Sequence, residues 1–441
     1  MSSNVISRAQ ATELANLAAQ TGDLALRAGA PAAVATDSME AILNAFGVDT
    51  YSVDVAYSAV TVSVSMAGKA NIISVMHVSE ISSEVNYTRL DAIDRVRRSL
   101  EQGTASPSLR ELTREIDRIA NEEKIYTPRM VHYAWAMLSA AVATTMLATP
   151  VSAMLSALAT LLTVTVVDAL DRRDSTVFFK QLIAAFVSTS PIILLYSQQE
   201  HLPFDLNTSQ AVAAGIVSLL AGMTLVSGVQ DVLMGAPITG LSRVLMAGIA
   251  TGGMIAGIAA SIQAATSLGI ILPDLSIGTL TVQQLPPQVI AAAVAGGAAA
   301  VIGQARPLGI LPSAVTATAA FAASAIMISH GISSLAVSLV AGAVAGIIAY
   351  LLAKLGNLSI TSVVIPALAP LLPGLALYRG MYKIIVTGSP DGATLVASAL
   401  LSAFALAAGS VLGAWLAAQV PSWKNMRLST TVFTKAKTPA R

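Results

Sequence analysis

The sequence contains no cysteine and few charged or aromatic residues. Of its 441 residues, 11% are charged and 5% aromatic, whereas 55% are hydrophobic and the mean hydropathy is +0.72. The absence of cysteine excludes disulfide bonds, thiol nucleophiles and thiolate metal sites. Because soluble proteins average roughly 25% charged residues, this composition predicts a polytopic membrane protein. The net charge of +1 gives no indication of a nucleic-acid partner, and the polar N-terminus, which has no apolar core segment, predicts no signal peptide.

The sequence also lacks the motifs of nucleotide-driven and hydrolytic enzymes. It contains no HExxH, no GxSxG, no P-loop and no GxGxxG between a strand and a helix. His77 lies three residues before Glu80, which leaves a membrane-tethered hydrolase as an alternative, although a structural histidine is the commoner case. We therefore expect a secondary active transporter, not an enzyme, that uses an ion gradient and has no catalytic residue, cofactor or bound metal.

The distribution of charge divides the chain into a charged N-terminal region, an apolar body and a basic tail. The predicted units are a cytoplasmic α+β domain, a five-helix repeat, an outer linker, a second five-helix repeat and a cytoplasmic tail, at residues 1–127, 128–265, 266–287, 288–419 and 420–441. In the first unit, apolar spacing predicts helices at 9–27, 31–46, 87–102 and 107–121. Alternating apolar residues predict three antiparallel strands at 51–57, 60–66 and 71–78.

Ten apolar segments follow, each near the ~20 residues that a helix needs to cross a bilayer. They lie at 130–149, 151–170, 177–197, 210–230, 242–264, 288–305, 310–329, 331–353, 359–377 and 393–418. With the N-terminal domain in the cytoplasm, the inner loops carry the basic residues that the positive-inside rule requires. These residues are Arg172, Arg173, Arg243, Arg306 and Lys354.

Five spans in each half place the second half upside down in the membrane. The predicted fold is therefore a polytopic α-helical membrane protein, with ten transmembrane helices as two inverted five-helix repeats and an N-terminal cytoplasmic α+β domain. Both termini are expected in the cytoplasm. Arg379 and Lys383 are the exception to the charge pattern, because they would lie at the outer end of the ninth span.

Residues 369–382 are the most informative stretch of the chain. They read APLLPGLALYRGMY and place Pro370, Pro373 and Gly374 inside an apolar run. Proline removes a backbone donor and glycine tolerates unusual φ and ψ angles, so a helix should break near Pro373. In hydrocarbon such a break persists only inside protein or beside a water-filled cavity. The alternative is the end of a loop, where Pro-Gly is common.

A second interruption is predicted at Gly228, within the run LVSGVQD. Aligning Gly228 with Gly374 puts the two interruptions at the same point of the two halves. Interrupted helices at corresponding positions of two halves indicate the binding site of a transporter.

Ionisable residues at membrane depth are candidates for function. Asp231 is a candidate for carrying a coupling proton or binding an ammonium group; the alternative is a residue that caps the next turn. Arg379 is a candidate for binding a carboxylate with both arms of its guanidinium; the alternative is a side chain that extends to the outer interface. Arg243 is interpreted as a topological anchor.

The remaining candidates surround these two charged residues. Tyr378 and Tyr382 are expected to line or gate the site, unless they belong to an interfacial aromatic belt. The complete predicted substrate-binding set is Gly228, Gln230, Asp231, Pro373, Gly374, Tyr378, Arg379 and Tyr382.

Several of these stretches resemble the threonine/serine exporter family, the ThrE type of actinobacteria. Residues 221–243 read AGMTLVSGVQDVLMGAPITGLSR and residues 371–382 read LLPGLALYRGMY, similar to the signatures of the two halves in that family. The N-terminal AGAP at 28–31, the Met76-His77-Val78 strand end and the Arg-rich 87–100 helix are also similar. Ser227 precedes Gly228 where many members of the family have proline, which puts strict equivalence of the two halves in doubt.

The resemblance implies ten spans, a cytoplasmic N-terminal domain and export of L-threonine and L-serine driven by the proton-motive force. The expected partners are a small amino acid, protons and the lipid bilayer of the cell membrane, with no nucleic acid; a homo-oligomer is left open. The alternative within the same architecture is a dicarboxylate exporter, which would use Arg379 together with Arg243 or Lys383.

Overall fold

The computed structural model describes residues 8–56, 59–65, 72–77, 85–103, 107–201, 208–215, 222–270, 285–373, 376–377, 379–380, 383–384 and 388–421. The N-terminal region is built from four helices and three strands, close to the predicted positions. They are α1 (Arg8–Arg27), α2 (Ala32–Ala45), β1 (Tyr51–Ala56), β2 (Ala59–Val64), β3 (Ile72–His77), α3 (Tyr87–Glu101) and α4 (Leu109–Ala120).

The three strands form one antiparallel sheet in the order β1-β2-β3. Val60, Val62 and Val64 on the central strand are buried and alternate with partly exposed residues, as the two-residue period of a half-buried strand requires. Their buried cluster includes Ile93 of α3 and continues to Val226 in the helical body. The N-terminal elements and the body therefore share one continuous apolar core.

The body consists of helices that the apolar segments predicted, with two exceptions. Its helices are α5 (Pro128–Thr145), α6 (Pro150–Asp171), α7 (Val177–Tyr196), α8 (Thr208–Gly215), α9 (Gly222–Leu233), α10 (Pro237–Ser267), α11 (Leu285–Ile302), α12 (Pro307–Ser329), α13 (Ser334–Gly356), α14 (Ile360–Ala367) and α15 (Asp391–Gln419). Seven of these, namely α6, α7, α10, α11, α12, α13 and α15, are long and apolar enough to cross a membrane. The protein is thus a mostly helical polytopic membrane protein.

The fourth and ninth predicted spans differ from the other apolar segments. In the fourth, the structure describes α8 and α9, and residues 216–221 between them lie outside the described ranges. The ninth is the eight-residue helix α14, followed by a 3-10 turn at Ala369–Leu371. Pro370 and Pro373 supply no backbone N–H, which explains why a regular helix ends here. The total of ten transmembrane helices stays a prediction.

Close helix packing depends on glycines that face neighbouring backbones. A Cβ atom on Gly342 of α13 would lie 2.2 Å from the carbonyl oxygen of Leu406 on α15, and one on Gly257 of α10 would lie 2.1 Å from that of Leu182 on α7. Small residues at such contacts allow backbones in a membrane to approach each other. Replacing them must push the helices apart.

We expect Gly342→Ala to lower the stability of the protein in detergent by about 1–3 kcal/mol, the usual cost of overpacking. Gly248→Ala is the matched control, because Gly248 also lies in a helix but has no atom within 4 Å of an added Cβ. The control should leave stability unchanged or raise it by up to ~1 kcal/mol, since alanine favours helix. Thermal unfolding of the purified variants tests this, and equal midpoints for the two would contradict the packing account.

Candidate functional site at the junction of the two halves

The best-defined charged group of the body is an ion pair at the corner between α9 and α10. Asp231 near the end of α9 is fully buried, and Arg243 on α10 is 5% exposed. Their side chains approach to 2.7 Å between Asp231 Oδ2 and Arg243 Nη1. Gly235, with φ at +92°, lies in the turn that brings the two helices together, a conformation that suits glycine.

This ion pair also forms hydrogen bonds that connect the body to the N-terminal elements. The backbone N–H of Ala32, the first residue of α2, donates to Asp231 Oδ1 over 2.6 Å. Arg243 Nη2 donates to the carbonyl oxygen of Ala30 over 3.0 Å. Asp231 therefore caps a helix of the N-terminal region and not the next turn of its own segment, and Arg243 is buried in a specific contact. A carboxylate at a helix N-terminus is electrostatically favourable.

Gln230 joins the two halves of the body directly. Its Nε2 donates to Ser410 Oγ on α15 over 3.1 Å, and both residues are buried. The two neighbours Gln230 and Asp231 thus point to different partners, one to the second half and one to the N-terminal region.

The predicted helix interruption at Gly228 is wrong. Gly228 lies within the continuous helix α9 (Gly222–Leu233) and is buried. A Cβ atom there would lie 2.9 Å from the carbonyl oxygen of Gly240 and 3.0 Å from Arg243 Cβ. The residue is therefore glycine because α10 crosses closely at this point.

The glycine contacts favour a different alignment from that of Gly228 with Gly374. Gly228 and Gly240 pack against each other's carbonyl oxygens, and Gly380 and Gly392 do the same in the second half. The two pairs have equal spacing, which would match Gly228 to Gly380 and Gly374 to Gly222, the first residue of α9.

The break predicted near Pro373 is present, and it meets the first half at Gly222. After the 3-10 turn, Leu372 is extended, with φ −65° and ψ 134°. A Cβ atom on Gly222 would lie 2.8 Å from Leu372 Cδ1. The start of α9 and the end of the 3-10 turn are thus in direct contact across the two halves.

Arg379 lies shortly after this break, and its buried Nε has no hydrogen-bond partner within the described ranges. Within the described part of the chain, Arg379 takes part in no ion pair and does not contact Asp231. Leu377, two residues earlier, packs in one cluster with Ala184 and Ala211 of the first half. Gly374, Tyr378 and Tyr382 lie outside the described residues.

Sequence reasoning missed a second buried carboxylate that joins the N-terminal region to the body. Asp91 on α3 is 1% exposed, and its Oδ1 accepts hydrogen bonds from Ser359 N over 2.8 Å and from Ser362 Oγ over 2.7 Å. Ser359 is the residue that precedes α14. Burial raises the pKa of Asp91 to about 6, an effect that these hydrogen bonds and the nearby Arg95 only partly offset. No local pattern distinguishes Asp91 from Asp94, which forms ion pairs with Arg97 and Arg98.

Comparison with known proteins supports one family over nearly the whole chain. Residues 16–265 match the ThrE model of threonine/serine exporters, and residues 288–415 match a second model described as "Threonine/Serine exporter, ThrE". The chain is 28% identical over 410 residues to the "Threonine/serine exporter" of Corynebacterium glutamicum, covering 92% of this chain and 83% of that protein.

A second relative is the "Probable threonine/serine exporter" of Mycobacterium tuberculosis H37Rv, 30% identical over 256 residues. That alignment covers 56% of this chain and 47% of the relative, so it spans about half the length of that protein. No solved structure matches the chain.

Substituting one member of the buried ion pair should destabilise the protein strongly. We expect Asp231→Asn to cost about 3–5 kcal/mol, because Arg243 would remain buried without a counter-charge. Asp171→Asn is the control, since the Asp171–Lys180 pair is half-exposed and exposed pairs contribute about 0–1 kcal/mol. Unfolding midpoints of both variants in detergent provide the measurement, and a loss of similar size in both would contradict the assignment.

The raised pKa of Asp91 predicts a pH dependence of stability. Because the folded pKa of about 6 lies above the ordinary 3.8, the folded state holds this proton more tightly than the unfolded state does. The resulting stabilisation is complete below pH 3.8 and is lost as the pH rises through 6. Relative to Asp91→Asn, the wild-type protein should therefore lose roughly 2 kcal/mol between pH 4 and pH 7. Parallel pH profiles of the two unfolding midpoints would show that Asp91 does not titrate in this way.

Proposed function

Because the chain belongs to the ThrE family of threonine/serine exporters, we propose that it exports L-threonine and L-serine from the cytoplasm across the cell membrane. The seven long apolar helices fit a transporter that crosses the membrane many times. The exporter names of its relatives in two actinobacterial species favour these substrates.

The orientation that we propose puts the N-terminal domain, residues 1–127, and the C-terminal tail in the cytoplasm. Support comes from the loops that the N-terminal elements contact. Tyr87 N donates to Gly303 O over 2.8 Å, and Arg98 Nη2 donates to Leu358 O over 3.3 Å. Arg306 and Lys354 lie close to these loops in sequence, and basic residues mark the cytoplasmic side of a membrane protein.

We further propose ten spans in two inverted repeats, with α8–α9 and the segment around Pro373 as the interrupted fourth span of each half. Tyr126, just before α5, and Gln304, just after α11, are held together by hydrogen bonds of 2.9 and 3.2 Å. Since α5 and α11 also share a buried cluster, the first helices of the two halves run in opposite directions. That arrangement is the one expected of inverted repeats.

The observation that carries the proposal is the contact between Gly222 and Leu372, where the start of α9 meets the break after α14. Backbone that is freed from helical bonding inside a membrane must line protein or a polar cavity. In the mechanism that we propose, Arg379 binds the substrate carboxylate there, and Tyr378 and Tyr382 border the site. The backbone N–H of Gly374, the residue after Pro373, would favour the same anion.

Coupling to the proton-motive force is assigned to Asp231. In this structure its carboxylate is occupied by Arg243 and Ala32, so a proton or a substrate ammonium must displace the guanidinium to reach it. If Asp231 exchanges the guanidinium of Arg243 for a proton, its contacts with both α10 and the N-terminal region change. Proton entry would thereby be linked to movement at the start of α2.

Proteoliposomes loaded with labelled threonine, serine or succinate test the substrate and the driving force. We expect efflux of threonine and serine but not succinate, and loss of concentrative export when an uncoupler is added. Succinate efflux would favour the dicarboxylate exporter, and unchanged export with the uncoupler would contradict proton coupling. Export by a variant that lacks residues 1–121, with hydrolysis lost, would favour a hydrolase in the N-terminal domain.

Replacing Arg379 tests the proposed carboxylate site. Arg379→Gln should reduce threonine export at least about tenfold, the factor that 1.4 kcal/mol represents, because a charge-assisted hydrogen bond is lost. Arg379→Lys should retain part of the activity, since it keeps the charge but not the planar fork. The control is Arg172→Gln, at an exposed helix end. Equal export by the Arg379→Gln protein and the control would rule out this role.

A further inference from the structure

Gln288 on α11 is a buried polar residue that the fold leaves unsatisfied. Gln288 is 1% exposed, and neither its Nε2 nor its Oε1 has a hydrogen-bond partner among the residues that the structure describes. Burying an amide without partners is unfavourable, so an unpaired buried group in a native protein calls for a specific explanation. Gln304 at the other end of α11 shows the usual case, because both of its amide atoms bond to Tyr126.

Gln288 lies on the face of α11 that meets the break in the second half. Residues three and four positions apart share a helix face, so Gln288 lies one turn from Ala291 and Ala292. Ala291 packs in one cluster with Ala369, and Leu371 packs against the cluster that contains Ala292. Gln288 thus lies one helical turn from residues that share buried clusters with the 3-10 turn before Pro373.

The packing of the fold does not require an amide at this position. Leu138, Ala141 and Val142 on α5 and Ala295, Ala298 and Ala299 on α11 are buried in one cluster with equal spacing. In the repeat proposed above, this spacing matches Gln288 to Val131. At the matching position the first half therefore has an apolar side chain.

We infer that Gln288 binds the charged backbone groups of an α-amino acid beside the second break. A carboxamide has two N–H donors and one carbonyl acceptor, so it can donate to the substrate carboxylate while accepting from the ammonium. Being neutral, it suits a zwitterion, which has no net charge. This inference rests on the proposed function and adds to it a residue on α11, outside the interrupted spans.

The test compares Gln288→Met with Gln304→Met as a matched pair of buried amide replacements of similar volume. Unfolding midpoints are measured in detergent with and without saturating L-threonine, since a ligand that binds the folded state raises the midpoint. For Gln288→Met we expect a midpoint without threonine equal to or above that of the wild type, because an unpaired polar group is removed. The affinity of the Gln288→Met protein for threonine should fall roughly ten- to a hundredfold.

Gln304→Met should behave in the opposite way. Its unfolding midpoint without threonine should fall, because the backbone N–H and carbonyl oxygen of Tyr126 lose their hydrogen bonds to Gln304. The rise in midpoint that threonine produces should be retained. Gln288→Asn, which keeps the amide on a shorter chain, should recover part of the threonine shift.

Three outcomes would overturn the inference. A Gln288→Met protein that is less stable than the wild type or does not fold would show that the amide has a structural role. A wild-type threonine shift in Gln288→Met would show that the amide does not contact substrate. If the wild-type protein itself shows no shift with threonine or serine and does not export them, the proposed function fails and this inference fails with it.

Discussion

Backbone groups that leave a helix inside an apolar environment must be covered by protein, and this constraint organises the structure. The chain leaves the regular helix after α14, at the 3-10 turn and the extended Leu372. It brings this break into contact with the start of α9, with Leu372 against Gly222. Glycine allows this close approach, because a Cβ atom at position 222 would displace the leucine side chain. The long helices around the junction are held close by further glycines, so the body packs tightly around the break.

The N-terminal elements are attached to the body at α9 and at the start of α14. Asp231 at the end of α9 holds the first N–H of α2, and Asp91 of α3 holds the N–H of Ser359 at the start of α14. In each contact a buried carboxylate accepts a hydrogen bond at the N-terminus of a helix. Asp231 belongs to the body, and Asp91 belongs to the N-terminal region. A change in the protonation of either group therefore acts on both parts at once. This reciprocal attachment explains why a single apolar core runs through both.

Sequence patterns predicted the elements well and the site only in part. The strands and most helices follow local periodicity, and the prolines around Pro373 correctly marked a break. Gly228 was misassigned because a glycine that ends a helix and one that admits a crossing helix look alike in sequence. The partner of Asp231 at Ala32 is 199 residues away, and Asp91 and Gln288 have no local signature. Their roles depend on tertiary contacts that a single sequence does not reveal.

The central claim, that the start of α9 meets the break after α14, can be measured directly because the chain has no native cysteine. A Gly222→Cys and Leu372→Cys double variant would place two thiols where an added Cβ on Gly222 lies 3.2 Å from Leu372 Cγ, within disulfide reach. Mild oxidation in native membranes should produce an intramolecular cross-link in the double variant and none in either single variant. A folded double variant that exports threonine but shows no cross-link would contradict the account.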